Sequence, residues 1–444
     1  MRQNLVRNLQ QRQHGQTLLM FVLFMVVLFI FAGLGIDLGF AYITRARLSK
    51  AVDAACLAAV RNIGAGTISA GAIATNAFFA NYGVSGRDVA PPVPVITYTT
   101  DLANNNIAVE VKASVTINTF FIRAMPAILP GAPDWKTLTV GSDAVATRKE
   151  LIMTLVLDVS GSMDPKRAPK SLGGDGTGSG GGIYLPSAVE AFIGNFSDTI
   201  DKAAMVKFST VQQNVFFAGT FPTNSQPTQP FRDAISNDVA AFTWNGATFS
   251  QGGLTNGLVM ENNAPAATTN AIKAVVFFTD GLANTIQDTL SCPPATLANF
   301  GGQDATDYVC FYDPITGGNL GGGNNSCCTI DGSPSCCSGA SQFKSSIDGS
   351  MKSFDRINVS TEAEYRAVQV ANDMRANKTI VYSIGVGSGV NMTFLQQVAN
   401  DPSAGLPGFK ATSYDGQALV ANNPADLGQV FQSVASQILM RLSR

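Results

Sequence analysis

The longest apolar run in the chain lies near its start. It extends from Thr17 to Ile36 and contains 20 residues without a charge. At about 1.5 Å per residue, a helix of this length spans roughly 30 Å, the thickness of a hydrocarbon core. The apolar region of a cleaved secretory signal is shorter, normally about 7 to 15 residues. The pattern therefore predicts a retained transmembrane helix over residues 17–36.

A helical pattern continues beyond the apolar run. Residues 37–62 carry small and apolar side chains at helical spacing, which predicts one continuous helix of about 45 residues, half in lipid and half in a protein body or filament core. Three arginines within residues 1–16 favour a cytoplasmic amino-terminal segment. Three basic residues between positions 45 and 50 weaken that preference. The predicted buried face of the helix consists of Leu48, Val52, Cys56, Ala59 and Val60.

Residues 63–150 show mostly period-two patterning. A short helical patch over residues 70–79 precedes the strand candidates at 95–100, 107–117 and 138–149. In the second candidate, Ile107, Val109 and Val111 alternate with polar residues, as in a half-buried strand. This region carries no recognisable chemistry and is predicted to be a β-rich stalk or scaffold. A helix followed by a small antiparallel sheet resembles a pilin in outline.

From residue 151 onward, apolar strand candidates alternate with helical patterns, which predicts an α/β domain over residues 151–443 with a mostly parallel sheet covered on both faces. The strand candidates are Leu151–Leu157, Ala204–Phe208, Asn214–Phe217, Ala274–Thr279 and Thr379–Val386. The helix candidates are Leu185–Ser197, Ser360–Ala376, Phe394–Ala399 and Asp426–Arg441.

The first of these strands ends in a cluster of oxygen-bearing side chains. Asp158 follows the apolar run directly, and Ser160 and Ser162 come at alternate positions after it. Ligands of open α/β sheets usually bind at the carboxyl ends of the strands. Hard divalent cations prefer oxygen donors of this kind. The pattern predicts a metal-dependent binding site.

Composition narrows the possible functions. The chain has a net charge of −2, which does not suggest a nucleic-acid surface. Its one histidine, His14, lies beside the apolar run, so histidine catalysis and histidine zinc sites are nearly excluded. The sequence shows no other organised acid–base pair, and we expect a binding protein rather than an enzyme.

Two insertions are expected near the site. The loop 164–184 contains the glycine-rich stretch 173–182, which lacks the Gly-Lys-Ser/Thr ending of a phosphate-binding loop and is predicted to be flexible. The second insertion, 284–356, is rich in Gly, Ser and Asn, and its six cysteines suggest disulfides formed in an oxidising compartment. Fifteen connectivities are possible, and zinc or iron–sulfur binding is the alternative. The disulfide candidates are Cys292, Cys310, Cys327, Cys328, Cys336 and Cys337.

The amino-terminal segment resembles a known family. The strings GLGIDLGFAYITRARL and KAVDAACLAA, with Gly15 before the apolar run, are similar to the TadE- and TadG-like proteins of the Flp (tight-adherence) pilus system over about residues 12–62. Pilin processing usually involves a glutamate five residues after the glycine, whereas Met20 occupies that position here. This departure leaves cleavage after Gly15 open and favours the TadG-like branch.

The α/β region resembles the von Willebrand factor A family. LVLDVSGSM, VVFFTDGLAN and TIVYSIGVGSG match its motifs in the right order. The resemblance implies a metal-ion-dependent adhesion site made by Asp158, Ser160, Ser162 and Asp280, together with a threonine. Thr248 has the family spacing before a Gly-Leu pair, and Thr255 is the competitor. The implied cofactor is Mg²⁺, with Mn²⁺ or Ca²⁺ as alternatives.

Together these resemblances imply a single-pass inner-membrane protein with an exported body, in the periplasm or at the cell surface. Its partners would be pilus subunits or a surface protein that supplies an acidic group to the metal, and the membrane through residues 17–36. Two roles stay open: a minor pilin that acts as an adhesin, and an envelope assembly factor or chaperone that grips pilus subunits.

Overall fold

The computed structural model describes most of the chain. The described residues are 2–101, 106–124, 126, 131, 133, 135–198, 200–210, 212–214, 231–264, 271–288, 296–300, 308–312, 328–329, 342–405, 411–412 and 414–442. They form two compact units. The first comprises Met1–Thr100 and Ile107–Thr147, and the second comprises Asp101–Asn106 and Arg148–Arg444.

The first unit is built on one long helix. Helix α1 runs from Arg2 to Asn62 without interruption, which confirms the predicted continuity, although the helix begins earlier than predicted. Its 61 residues measure roughly 90 Å. In the part of the chain that the structure describes, it is the one helix long and apolar enough to cross a membrane, judged by length and composition. Beyond the apolar run, the five predicted face residues from Leu48 to Val60 are all buried.

Helix α2 and a three-stranded sheet complete the first unit. Helix α2 spans Thr67–Asn81. The strands are β1 (Val95–Asp101), β2 (Asn106–Asn118) and β3 (Thr137–Arg148), in the order β1-β2-β3. These elements cover the buried face of α1 to form one apolar core.

Cys56 lies in that core, as predicted for a small packing residue. Its Sγ lies 3.2 Å from the carbonyl oxygen of Val109 in β2, to which it donates a hydrogen bond. Burial raises the pKa of the Cys56 thiol, and a thiol that resists ionisation is a poor nucleophile.

The second unit alternates strands and helices along the chain. Their bounds in order are β4 (Leu151–Asp158), α3 (Leu185–Ile193), β5 (Lys202–Phe208), β6 (Gln212–Asn214), α4 (Phe231–Ala240), α5 (Ser250–Asn262), β7 (Ile272–Thr279), β8 (Thr285–Asp288), β9 (Thr296–Phe300), β10 (Tyr308–Tyr312), β11 (Cys328–Thr329), β12 (Gln342–Lys344), β13 (Met351–Ser353), α6 (Arg356–Ala376), β14 (Thr379–Val386), α7 (Met392–Ala399), β15 (Ala418–Ala421) and α8 (Leu427–Leu442).

Six of these strands form the central sheet, in the order β15-β14-β7-β4-β5-β6. The pairs are parallel except for the edge strand β6, which is antiparallel to β5. Numbered within the sheet alone, the order is 3-2-1-4-5-6, that of a doubly wound α/β fold. The predicted mostly parallel sheet is confirmed.

Both faces of the sheet are covered. Alternate residues of β4 point to opposite sides: Leu155 and Leu157 join a core with α3, α4 and α8, whereas Ile152 and Val156 join a second core with α5, α6 and α7. Every residue of β4 is buried, which explains why its sequence is a continuous apolar run instead of an alternating one.

Several elements differ from the prediction. Helices α4 and α5 and the short strand β15 were not foreseen, and α3 ends at Ile193, before the predicted Ser197. Helix α5 has the sequence SQGGLTNGLVMEN, and glycine disfavours helix by about 1 kcal/mol relative to alanine. The glycines are needed for packing: a Cβ on Gly253 would lie 2.6 Å from the Phe208 ring, and one on Gly257 would lie 2.8 Å from Val156.

The cysteine-rich insertion contains more regular structure than predicted. Strands β8 to β11 form a four-stranded sheet in the order β11-β10-β9-β8, and β12 pairs with β13. The base of the insertion is fastened to α6 by Arg366, which binds the Asp288 carboxylate at 2.9 Å and the backbone oxygen of Gln287 at 2.8 Å. Cys310 and Cys328 lie in β10 and β11, whereas the other four disulfide candidates lie outside the described residues. The disulfides therefore stay a prediction.

Helix α5 also carries a buried carboxyl group, that of Glu261. Its Oε1 accepts a hydrogen bond of 2.8 Å from Thr154 in β4. Burial raises the pKa of Glu261 to about 8, so the folded protein holds this side chain protonated near neutral pH.

The close packing of α5 predicts the effect of adding a methyl group. In Gly253→Ala the new Cβ collides with a fully buried ring. Overpacking of this kind costs about 1–3 kcal/mol and outweighs the gain in helix propensity of about 1 kcal/mol. Gly428→Ala in α8 is the matched control, because its Cβ meets open space. Thermal unfolding should show a lower Tm for Gly253→Ala and an unchanged or higher Tm for Gly428→Ala. Equal shifts would contradict the packing explanation.

Glu261 predicts a pH dependence of stability. Its pKa rises on folding from the ordinary value of 4.5 to about 8, so the folded chain binds more protons than the unfolded chain between these values. The Glu261 contribution to stability is therefore fully present below pH 4.5 and is lost as the pH rises towards 8, by up to about 1.4 kcal/mol per pH unit.

Urea unfolding of the full chain in detergent, followed by tryptophan fluorescence, measures this slope. Glu261→Gln should flatten it, because a neutral amide releases no proton. The exposed Glu190→Gln in α3 serves as the control and should keep the wild-type slope. If all three proteins share one slope, Glu261 does not titrate as described.

Candidate functional site

The site lies where two neighbouring parallel strands end. Strand β4 ends at Asp158, and β7 ends at Thr279, immediately before Asp280. The register pairs Leu157 with Phe278, so both carboxylates come to the same edge of the sheet. Asp158 is completely buried and Asp280 is 4% exposed. The fold therefore brings two buried carboxyl groups together at the carboxyl edge of the central sheet.

Asp158 is held by one donor in the loop that follows β4 and by one at the end of β7. Its Oδ1 accepts the backbone N–H of Ser160 at 2.8 Å, and its Oδ2 accepts the hydroxyl of Thr279 at 2.6 Å. Sequence reasoning missed Thr279, although this residue stands in the string VVFFTDGLAN directly before Asp280. A hydroxyl at the end of the strand beside β4 was the available signal.

The two serines connect the carboxylates. The hydroxyls of Ser160 and Ser162 lie 3.1 Å apart, and Ser162 donates to Oδ1 of Asp280 at 2.7 Å. The loop that carries them is fixed by the backbone bond from Gly161 N to Gly246 O, 3.0 Å long.

The two threonine candidates lie in different places. Thr248 is buried in the loop before α5, whereas Thr255 lies on the exposed face of that helix. A Cβ built on Gly281 would be 4.0 Å from both the Thr248 and Ser162 hydroxyl oxygens, so Thr248 faces the loop that contains Asp280. Asn284, another residue that sequence reasoning missed, holds Thr248 by accepting its N–H at 2.8 Å.

The glycine-rich loop reaches the site. Ser179 donates to Oδ2 of Asp280 at 2.5 Å, and its own oxygen accepts the N–H of Gly181 at 3.1 Å. Two glycines of the loop pack closely against the site: a Cβ on Gly178 would lie 2.3 Å from the backbone oxygen of Ser162, and one on Gly182 would lie 2.5 Å from that of Met163. No sequence motif marked Ser179.

The pKa values of both carboxyl groups are raised. Burial is the main cause for Asp158, and the neighbouring Asp280 adds to it; together they raise the pKa of Asp158 to about 7 although Thr279 and Ser160 lower it. Burial also raises the pKa of Asp280, against the hydrogen bonds from Ser179 and Ser162. Two buried carboxylates side by side call for a compensating positive charge.

The donor set fits a hard divalent cation. Every side-chain donor that converges here is an oxygen, from two carboxylates and several hydroxyls, as Mg²⁺ and Ca²⁺ prefer. Among the described residues there is no group of three or more His, Cys, Asp or Glu side chains that could hold a metal, so hydroxyls would have to complete the ligand set. The site opens into a cleft of about 570 Å³ whose wall includes Ser162, Ser179, Thr248, Asp280, Arg356 and Ser360.

Comparison with known proteins adds to this picture. A family model for Flp pilus-assembly TadE/G-like proteins matches residues 15–62, which confirms the resemblance of the amino-terminal segment. A search of curated proteins found no match.

Similar solved structures include three bacterial proteins. A von Willebrand factor type A protein from Catenulispora acidiphila has 13% identity and a TM-score of 0.36, with 80% of this chain and 52% of that chain covered. The pilus adhesin SpaC from Lactobacillus rhamnosus GG has 13% identity and a TM-score of 0.41, with 81% and 35% covered. The PilB minor pilin from Streptococcus sanguinis has 16% identity and a TM-score of 0.41, with 79% of each chain covered.

The chain spans about half the length of the first of these structures and about a third of the second. The strand order and the helices that cover both faces of the sheet define the fold of the second unit. The second unit is a doubly wound, mostly parallel α/β unit. The chain joins it to a TadE/G-like amino-terminal helix.

Proposed function

We propose that this chain is a membrane-anchored minor pilin or assembly protein of the Flp pilus system that binds a protein or surface ligand through a metal-dependent adhesion site. The observation that carries the proposal is the convergence of Asp158, Ser160, Ser162, Thr248 and Asp280 at the carboxyl edge of the sheet.

In this proposal the five residues hold Mg²⁺, or Mn²⁺ or Ca²⁺ in its place. A bound divalent cation would supply the positive charge that the two buried carboxylates lack, and it would present a position to an acidic group on the partner. The mostly hydroxyl ligand set supports this, because it adds no negative charge beyond that of Asp158 and Asp280.

The cleft beside the site supports an acidic partner. Arg356, at the first turn of α6, lines the same cleft as Asp280 and Thr248. A guanidinium group recognises a carboxylate through paired hydrogen bonds. A partner carboxylate that approaches the metal would therefore meet a favourable field from this wall of the cleft.

Binding is favoured over catalysis because the chain's one histidine, His14, lies in α1 of the first unit and not in the second unit. Ser162 donates to Asp280, and the Ser160 hydroxyl is hydrogen-bonded to that of Ser162. An activated serine usually has a histidine as its base.

The amino-terminal helix supports a location in a membrane. Its apolar side chains between Leu18 and Phe31 are exposed, except that of Ile30, which is half-buried, and lipid would cover them. We place the helix in the inner membrane and the second unit on the exported side, where the six cysteines of the insertion would be oxidised.

Replacement of the charged ligand tests metal binding. In Asp158→Asn the side chain keeps its size but loses its charge, and we expect binding of Mg²⁺ or Mn²⁺ to be lost. At a cation concentration about 100 times Kd, the wild-type chain should gain about 2.7 kcal/mol of stability, measured as a rise in Tm, whereas the variant should gain nothing.

Asp175→Asn is the matched control, because Asp175 is an exposed carboxylate of the neighbouring glycine-rich loop. It should keep the full response to the cation. Ser162→Ala adds a second ligand variant that leaves Asp158 in place and should weaken the response. A cation response in Asp158→Asn equal to that of the wild type would refute the proposed site.

The same variant distinguishes the two roles in cells. Immunogold labelling along or at the end of filaments, with adhesion lost in Asp158→Asn, is the result expected for an adhesin. Label confined to the envelope, with filament assembly lost in the variant, is the result expected for an assembly factor.

Mass spectrometry of the unreduced native chain tests the exported location. We expect the six cysteines of residues 284–356 to be bridged, with a mass about 6 Da below that of the reduced protein, while the buried Cys56 stays reduced. Six free thiols in protein isolated under alkylating conditions would argue against an oxidising compartment. The same spectrum reports whether the chain begins after Gly15.

A further inference from the structure

A second apolar surface lies beside the membrane part of α1. It is formed by residues 119–124, here called the aromatic loop, which follows β2. The loop touches the apolar run directly, since a Cβ on Gly33 would lie 2.6 Å from the Cβ of Phe121. A cavity of about 210 Å³ between them is lined by Val26, Phe29, Ile30 and Leu34 from α1 and by Phe121 and Ile122 from the loop.

The loop exposes large apolar side chains within the first unit. Phe120 is 63% exposed and Phe121 is 43% exposed. Phe29, which lines the cavity shared with the loop, is 67% exposed. The apolar surface of the helix and that of the loop are therefore continuous.

Five of the six backbone N–H groups of the loop, those of residues 119–122 and 124, have protein partners. Asp37, the first charged residue after the apolar run, is 3% exposed. Its carboxylate accepts the backbone N–H groups of Phe120, Phe121 and Ile122 at 2.9, 2.7 and 2.8 Å. In addition, Thr119 N donates to Lys136 O and Ala124 N donates to Phe121 O, each at 3.0 Å. Non-helical backbone is tolerated at membrane depth only where protein and not lipid surrounds its polar groups, and the amides of Phe120, Phe121 and Ile122 are bonded to the buried Asp37 carboxylate.

Charged groups mark where the apolar surface ends. The guanidinium carbon of Arg87 lies 4.2 Å from the centre of the Phe40 ring and 5.7 Å from that of Phe120. Its Nη1 lies 3.9 Å from the Asp37 carboxylate. A cation at this level suits the phosphate groups of lipids. The neighbouring Arg123 is exposed, and its long side chain can reach the same level.

We propose that the aromatic loop inserts into the bilayer leaflet on the side of the protein body, next to α1, so that Phe120, Phe121 and Ile122 contact lipid acyl chains. The Asp37 carboxylate makes this possible by holding the loop amides. Gly33 precedes Asp37 by four residues, which places the Phe121 contact about 6 Å inside the boundary, within the depth of roughly 5–10 Å typical of interfacial segments. The inference depends on the proposed membrane span of α1.

Photocrosslinking in nanodiscs tests the insertion. The photoreactive p-benzoylphenylalanine replaces Phe120 in the full chain, reconstituted in phosphatidylcholine with phosphatidylglycerol. Phe24 on α1, also 63% exposed, is the positive control, and Phe79 on α2, 44% exposed, is the negative control. We expect lipid adducts at position 120 comparable with those at position 24, and none at position 79.

The controls separate the possible failures. Lipid adducts at position 24 with none at position 120 would overturn the loop insertion and leave the membrane span intact. Absence of lipid adducts at both positions would overturn the span and the insertion together. Adducts from position 120 to a second copy of the chain would show that protein covers the loop instead of lipid.

The role of Asp37 has its own test. In Asp37→Asn an NH2 group replaces one acceptor oxygen, so at least one backbone N–H of the loop loses its hydrogen bond. The lipid adduct at position 120 should therefore decrease, while that at position 24 is unchanged. The control is Asp53→Asn, an exposed position farther along α1. Quenching of a Phe120→Trp variant by acyl-brominated lipid, in a chain with Trp135→Phe and Trp244→Phe, repeats the measurement without the bulky probe. Absence of quenching there would also overturn the proposal.

Discussion

The second unit depends on the parallel pairing of β4 with β7. Both strands are apolar along their buried lengths, and each is followed or ended by an aspartate at the same edge of the sheet. Burial and mutual repulsion oppose ionisation of Asp158 and Asp280. Hydroxyl and backbone N–H groups of Ser160, Ser162, Ser179 and Thr279 donate hydrogen bonds to the two carboxyl groups. These donors supply hydrogen bonds but no positive charge, and this is the observation behind the proposed cation.

Glycine residues allow both helix α5 and the 173–182 loop to come close to the candidate site. Helix α5 comes close enough to the sheet to position the Thr248 loop because Gly253 and Gly257 have no side chain to collide with Phe208 and Val156. On the opposite side, glycines of the 173–182 stretch let that loop lie against the backbone of the site and bring Ser179 to Asp280. In both cases a residue that weakens local structure is kept because the tertiary packing requires its small volume.

The first unit also contains a buried carboxylate, that of Asp37, which hydrogen bonds stabilise. Its ion-pair partner Arg87 is partly exposed, with Nη1 3.9 Å from the carboxylate. Three backbone N–H groups of the aromatic loop lie closer and donate hydrogen bonds to the same carboxylate. The same contact satisfies a stretch of irregular backbone beside an apolar helix. The carboxylate of Asp37, at the end of the apolar run, thus holds the aromatic loop in place.

The amino-acid sequence alone determined the long apolar helix, the α/β class and the position of Asp158, Ser160 and Ser162 at a strand end, because these depend on local periodicity and on the order of motifs. It did not determine helix α5, because its glycines disfavour a helix in isolation. It also did not determine the small sheet of the insertion, whose strands are two to five residues long. The contacts of Ser179 and of Asp37 depend on residues that are 101 and more than 80 positions away in the chain. Such contacts exist only once the tertiary structure brings the partners together, and no local pattern encodes them.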